Sequence, residues 1–170
     1  MNIKRILFPT DLSDCSLAAL DYASDLAASW KAEVHFLYVD DLRDLIALAA
    51  YSCPSFVASS ARIELKERLE AIKPVLANVP CHYHYIEGVP ADEICALAKN
   101  ESIDLIVMSS HGRTGISRVL IGSVAEKVLR RAKCPVLIVK QPTSASAAQL
   151  TEAQQSNAAA AQTGPAVGKL

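Results

Sequence analysis

Residues 103–124 read I-D-L-I-V-M-S-S-H-G-R-T-G-I-S-R-V-L-I-G-S-V. Ile103 to Ser109 is a short apolar run bounded by polar residues, the pattern of a strand buried on both faces. The loop S-H-G-R-T-G-I-S-R follows it, and a helix is expected from about Gly122 to Ala132. Gly112, Gly115 and Gly122 lie in this stretch, three of the six glycines in the chain. Glycine lets a backbone approach a ligand closely and permits positive φ. Open N–H groups at a helix start, with the Ser123 hydroxyl beside them, suit a phosphate. Taken alone, the same residues also fit a plain glycine-containing loop leading into a serine-capped helix.

Outward from this stretch, strands and helices alternate. Ile3 to Phe8 is an apolar strand run closed by Pro9-Thr10-Asp11, and Ser13 or Ser16 is placed to cap the next element. Leu17, Leu20, Ala23, Ala27 and Trp30 recur in steps of three and four, which predicts one helix over 17–30. Val34 to Val39 (VHFLYV) is apolar enough for a central strand. The segment 40–60 is less regular: Leu42 to Tyr51 suits a helix, Pro54 interrupts it, and a mobile or variable insertion is expected. A long helix is predicted over 61–76, carried by Ile63, Leu65, Leu69, Ile72 and Leu76, with Pro74 bending or ending it. Cys81 to Glu87 alternates like a more exposed edge strand. Gly88-Val89-Pro90 turns into a helix with Asp92 and Glu93 in its first turn, reaching about Asn100. Pro135 to Val139 is the fifth strand. This alternation implies parallel βαβ units with right-handed crossovers in a five-stranded doubly wound sheet, whose ligands bind beyond the carboxyl ends of the strands.

The 170 residues fit one domain plus an extension. The boundary falls near Gln141: residues 1–141 form the domain, and 142–170 are an Ala-, Ser-, Gln- and Gly-rich tail expected to be disordered. Aromatics are only 5% of the chain, so the core must be aliphatic. The formal net charge is −1 and no long basic stretch occurs, which argues against nucleic acid as a partner. Arg130, Arg131 and Lys133 suit the last turn of a helix. The five cysteines form no CxxC pair, so neither a disulfide framework nor a cysteine metal site is expected, and a reducing compartment is. No signal-peptide pattern opens the chain and no run reaches 18 apolar residues, so the expected location is the cytoplasm, away from membrane.

No GxxxxGK[ST] and no GxGxxG after the first strand are present, which sets aside a P-loop and a dinucleotide fingerprint. What the chain has is Ser109-Ser110-His111-Gly112, nine residues, then Gly122-Ser123. In this it resembles the universal stress protein family, whose ATP-binding branch carries G-x-x-G, nine residues, then G-[ST] after the fourth strand. Ser109 stands where that motif has its first glycine. The resemblance runs over about Met1 to Lys140 and includes Pro9-Thr10-Asp11, Gly88-Val89-Pro90 and Cys134-Pro135-Val136-Leu137-Ile138-Val139.

The resemblance implies a three-layer α/β sandwich of the adenine-nucleotide α-hydrolase-like kind, strand order 3-2-1-4-5. It also implies an ATP site, with or without magnesium. Asp11, beside Pro9 and Thr10, would face ribose or adenine; a turn aspartate is the plainer reading. Val39 would meet adenine, and Met108 and Ser109 would lie under ribose and phosphates. Gly112, Gly122, Ser123 and Val124 would supply phosphate-binding N–H groups and a hydroxyl. Arg113 and Arg118 either neutralise phosphate or stand in solvent. A homodimer through Pro135 to Val139 and an unidentified protein partner are implied as well.

No residue is read as catalytic and none as a metal ligand. His111 needs a partner at hydrogen-bond distance before it is a base. His82 and His84 share a strand face, but no third ligand is apparent. Asp40, Asp41 and Asp44 read as loop acids. The leading expectation is an ATP-binding regulatory module of the stress response, not an enzyme. The alternatives are a nucleotide-free dimeric scaffold and a weak ATP hydrolase.

Overall fold

The computed structural model describes residues 2–41, 54–73, 79–112 and 121–140, and side chains from Arg62 onward within the helix that begins at Pro54. In chain order the elements are β1 (Arg5–Pro9), α1 (Asp14–Leu17), α2 (Leu20–Trp30), β2 (Glu33–Asp41), α3 (Pro54–Ala71), β3 (Cys81–Gly88), α4 (Pro90–Asn100), β4 (Leu105–Ser109), α5 (Ser123–Arg131) and β5 (Val136–Val139). The five strands form one sheet in the order β3-β2-β1-β4-β5, every neighbouring pair parallel. This is the doubly wound sheet expected from the alternation, in the order that the family resemblance implies. The chain divides into Met1–Lys140 and Gln141–Leu170, and the second unit lies outside the described residues.

Strand side chains alternate between faces, so a strand covered on both sides needs apolar residues at every position. β1 meets that demand: Ile6 and Phe8 enter one core with Val34, Phe36, Ala23, Ala27 and Leu69, while Leu7 enters the other. That second core joins Leu37 and Ile106 to Ile94 and Leu97 of α4 and Val128 of α5. Helices therefore cover both faces, giving three layers. At the amino end of β1, Lys4 N and Arg5 N both donate to Asp104 Oδ2, at 2.7 and 3.0 Å, which ties β1 to the start of β4.

Several boundaries differ from the sequence reading. The helix expected over 17–30 is two. Ser13 Oγ accepts from Ser16 N at 3.2 Å and caps α1, and α2 starts afresh at Leu20. Small Ala23 and Ala27 let α2 lie close on the sheet, fully buried, whereas Trp30 is 42% exposed and is no part of the buried face. Lys31, at φ 55°, ends α2 in the left-handed conformation, with Ala32 N donating to Ala27 O at 2.9 Å.

The helix expected over 61–76 begins earlier, at Pro54, because the first turn of a helix does not need proline's missing N–H. The helix stops at Ala71; Leu69 is buried and Ile63 exposed. Pro74, Leu76 and the helix considered over Leu42 to Tyr51 lie outside the described residues. β3 occupies one edge, as its alternation suggested, and β5 the other. Arg130 and Arg131 fall in the last turn of α5, as expected. Cys81, Cys95 and Cys134 are unbonded and half-buried, and burial pushes their thiols up, away from the reactive thiolate. Among the described residues no helix is long and apolar enough to cross a membrane.

Candidate functional site: a cavity at the carboxyl ends of the strands

The order of the sheet reverses between β1 and β4, and a crevice opens beyond strand ends at such a point. A cavity of about 280 Å³ sits there. Pro9, Thr10 and Asp11 line it from the end of β1, Val39 from β2, and Met108 and Ser109 from β4. Gly112, Gly122, Ser123 and Val124 complete the set from the loop and from α5. Thus ten of the twelve residues expected to bind ATP converge on one cavity. The other two, Arg113 and Arg118, lie outside the described residues.

The β1 rim is tightly tied. Thr10 N donates to Leu37 O at 2.9 Å, and the Thr10 and Ser16 hydroxyls lie 2.8 Å apart. Leu12 takes φ 62°, which turns the chain sharply out of the sheet, and its amide donates to Thr10 Oγ1 at 3.0 Å. Asp11 Oδ1 accepts from Ser13 N at 3.1 Å and Ser13 Oγ at 2.6 Å. Asp11 is thus the turn aspartate of the plainer reading and also a cavity-lining residue. Its other oxygen reaches over Gly112, where an added Cβ would run into Oδ2. With any other residue at 112, the Asp11 carboxylate would have to move.

Ser109 closes β4, in register with Val139 of β5 and with φ outside the positive region, so the serine meets no backbone strain. Its Oγ accepts from His111 N at 3.3 Å. Ser110 is buried, donates its amide to Val139 O at 2.8 Å, and holds its Oγ 2.9 Å from His111 Nδ1.

Gly122 is the N-cap of α5, with φ −69° and ψ 155°, and as a glycine it offers the helix no capping side chain of its own. One expected role changes. The Gly122 amide donates to Ser110 O at 2.7 Å, so it is engaged within the fold and is not an open phosphate donor. Its missing side chain matters more: a Cβ would stand 3.1 Å from Ser110 O. Ser123, Val124 and Ala125, the first turn of α5, bring the positive end of the helix to the cavity wall.

Sequence reasoning missed part of the wall. Leu37 and Ile94 add apolar surface beside Val39 and Met108, and Pro90 brings the start of α4 to the rim. Asp41 lines the cavity, whereas Asp40 turns away to accept from Tyr85 Oη at 2.8 Å. Burial, and then that bond, raise the Tyr85 phenol well above its ordinary value. The cavity wall therefore combines apolar surface from Leu37, Val39, Ile94 and Met108 with polar groups of Asp11, Asp41, Ser109 and Ser123.

A model described as "Universal stress protein family" matches residues 2–140. The chain is 41% identical over 141 residues to Universal stress protein MJ0531 of Methanocaldococcus jannaschii, covering 82% of this chain and 83% of that protein. The chain belongs to the universal stress protein family. It is also 34% identical to Universal stress protein YxiE of Bacillus subtilis, over 80% of this chain and 98% of the relative. Among solved structures, that of hypothetical protein MJ0577 is similar with TM-score 0.74 and 32% identity, over 85% of this chain and 100% of the other. A universal stress protein in complex with cAMP is similar with TM-score 0.55 and 27% identity, over 82% of this chain and 98% of the other.

Proposed function

We propose that this protein binds adenine nucleotide, with ATP as its ligand, and acts as a regulatory module of the stress response. The observation that carries the reading is a cavity at the carboxyl ends of the strands whose wall includes the first turn of α5, Ser123 to Ala125, beside Gly112 and Gly122. A helix start of this kind favours phosphate. The apolar surface from Leu37, Val39, Ile94 and Met108 suits a planar base. The cavity volume is near the lower end of ligand pockets, ~300–1,000 Å³. The cAMP complex of a relative supports an adenine nucleotide as the ligand class. Asp11 and Asp41 add negative charge near a triphosphate, which favours uptake of ATP together with magnesium.

Calorimetry with ATP, ADP and AMP, each with and without magnesium, tests the reading. Saturable heat with ATP at about one ligand per chain is expected, and affinity should fall as phosphates are removed. Absence of heat and of any thermal shift at millimolar ATP would leave the nucleotide-free scaffold as the better account. The weak-hydrolase alternative draws on the Ser110 Oγ–His111 Nδ1 contact at the cavity. Binding without turnover is the proposal, so phosphate release from the same mixtures should stay at the level of ATP alone.

We further propose a homodimer through β5. Among the described residues this strand pairs only with β4, which makes it an edge with main-chain groups facing outward, and Leu137 is exposed on it. Light scattering should give twice the chain mass, with Leu137→Glu shifting the protein to monomer. A monomeric parent protein would refute the idea. A cytoplasmic location and a protein partner that reads the nucleotide state belong to the same reading.

A further inference from the structure

Glu33, His35 and His82 form a cluster at the amino-terminal ends of β2 and β3, at the opposite end of the strands from the nucleotide cavity. Parallel pairing sets His35 beside His82, and Leu37 beside His84. The period of two along each strand then puts Glu33, His35, His82 and His84 on one face. One donor atom each from Glu33, His35 and His82 lies within 4.8 Å of the other two. His82 Nε2 is 3.2 Å from Glu33 Oε2, and His35 Nε2 is 3.5 Å from Glu33 Oε1. Donors around a tetrahedral zinc ion, with zinc–nitrogen bonds of ~2.0–2.1 Å, stand about 3.3 Å apart.

The surroundings resemble those of a ligating site. His35 is buried, and its Nδ1 lies 3.0 Å from His84 Nε2. If Nδ1 carries the proton and donates it to His84, His35 Nε2 is left with its lone pair toward Glu33. Metal-bound imidazoles are oriented by such outer hydrogen bonds. Arg5 Nε donates to Glu33 Oε1 at 2.8 Å, which fixes the carboxylate and leaves Oε2 toward His82. The rings are also held in place, with His35 stacked on His82 and His84 at centroid distances of 4.7 and 5.2 Å. The His82 side chain is half exposed, so an ion can enter from solvent and keep water in a fourth position.

We propose that Glu33, His35 and His82 bind one divalent transition-metal ion of the zinc class, which pins edge strand β3 to β2. Two imidazoles and a carboxylate suit zinc and its neighbours, whereas calcium and magnesium require oxygen donors.

The test uses the untagged full-length chain, stripped with chelator and titrated with zinc sulfate in the absence of nucleotide. One zinc per chain is expected, with a higher melting temperature in zinc than in chelator and no response to magnesium or calcium. His82→Gln, at an exposed position, should weaken zinc binding at least tenfold while the far-ultraviolet spectrum is kept. Glu33→Gln should do the same should the first variant fold poorly. Cobalt in place of zinc should give the visible bands of a nitrogen–oxygen tetrahedral site. Three results would overturn the proposal: no saturable binding, undiminished zinc affinity in the folded variants, or an intense thiolate-to-cobalt band that moves the ion to a cysteine.

Discussion

Gly122→Phe is expected to weaken ATP binding by more than ~100-fold while leaving the fold intact. The backbone at Gly122 has φ −69° and ψ 155°, a conformation open to any residue, so the substitution asks nothing unusual of the main chain. The difficulty is space. A Cβ there already stands 3.1 Å from Ser110 O, and the ring beyond it must take up room at the start of α5, on the cavity wall. Removing ~2.7 kcal/mol of favourable interaction suffices for a 100-fold loss. Calorimetry on the variant, next to a thermal melt, separates a blocked site from a collapsed domain. Parent-like affinity in a folded Gly122→Phe protein would mean that the phosphates lie elsewhere.

The largest effect on stability is expected at Phe36. Its side chain is fully buried in the core beneath α2 and α3. It meets Phe8 edge-on at 5.7 Å and stacks on Tyr83 at 5.2 Å, linking the three strands β1, β2 and β3. Phe36→Ala removes those contacts and leaves a cavity, at a cost of ~3–5 kcal/mol. The melting temperature should fall by on the order of 10 °C. Urea unfolding of Met1–Lys140 would check this, and a loss below ~1 kcal/mol would contradict the packing described for that ring.

The strands were legible because β1, β2 and β4 must be apolar on both faces, and runs such as Ile103 to Ser109 have no other economical use. Their left-to-right order was not legible from periodicity, since a pattern along one strand carries no information about its neighbour; the family resemblance supplied it. Helix boundaries failed where local signals compete. The spacing from Leu17 to Trp30 is helical throughout, yet Ser13 caps one short helix and α2 restarts after Ala19. The start of α3 was placed at 61 and not at Pro54, because proline suits a first helical turn as well as a break between elements.

Within the site, glycine and serine at 112, 122 and 123 stood out as small residues in a strand-to-helix connection, but alone they fit a plain loop as well; the spacing shared with the family singled them out. Leu37 and Ile94 were not, because a buried aliphatic side chain looks the same in sequence whether it faces a helix or a ligand. The use of the Gly122 amide by Ser110 could not be read either, since it depends on how the loop folds back. His35 did leave a trace: a titratable residue inside the run VHFLYV, two places after Glu33. Its meaning emerged only when β3 set His82 beside it.

Pro9, Val39, Pro90 and Gly122 reach the same cavity from four junctions spread across more than a hundred positions of the chain. A molecule lodged there fastens together segments that meet only when folding is complete, so no short fragment of the domain can hold it. Occupancy then becomes a gauge of how many copies are whole. Protease resistance should rise with nucleotide concentration, because a cut chain must first let its guest go.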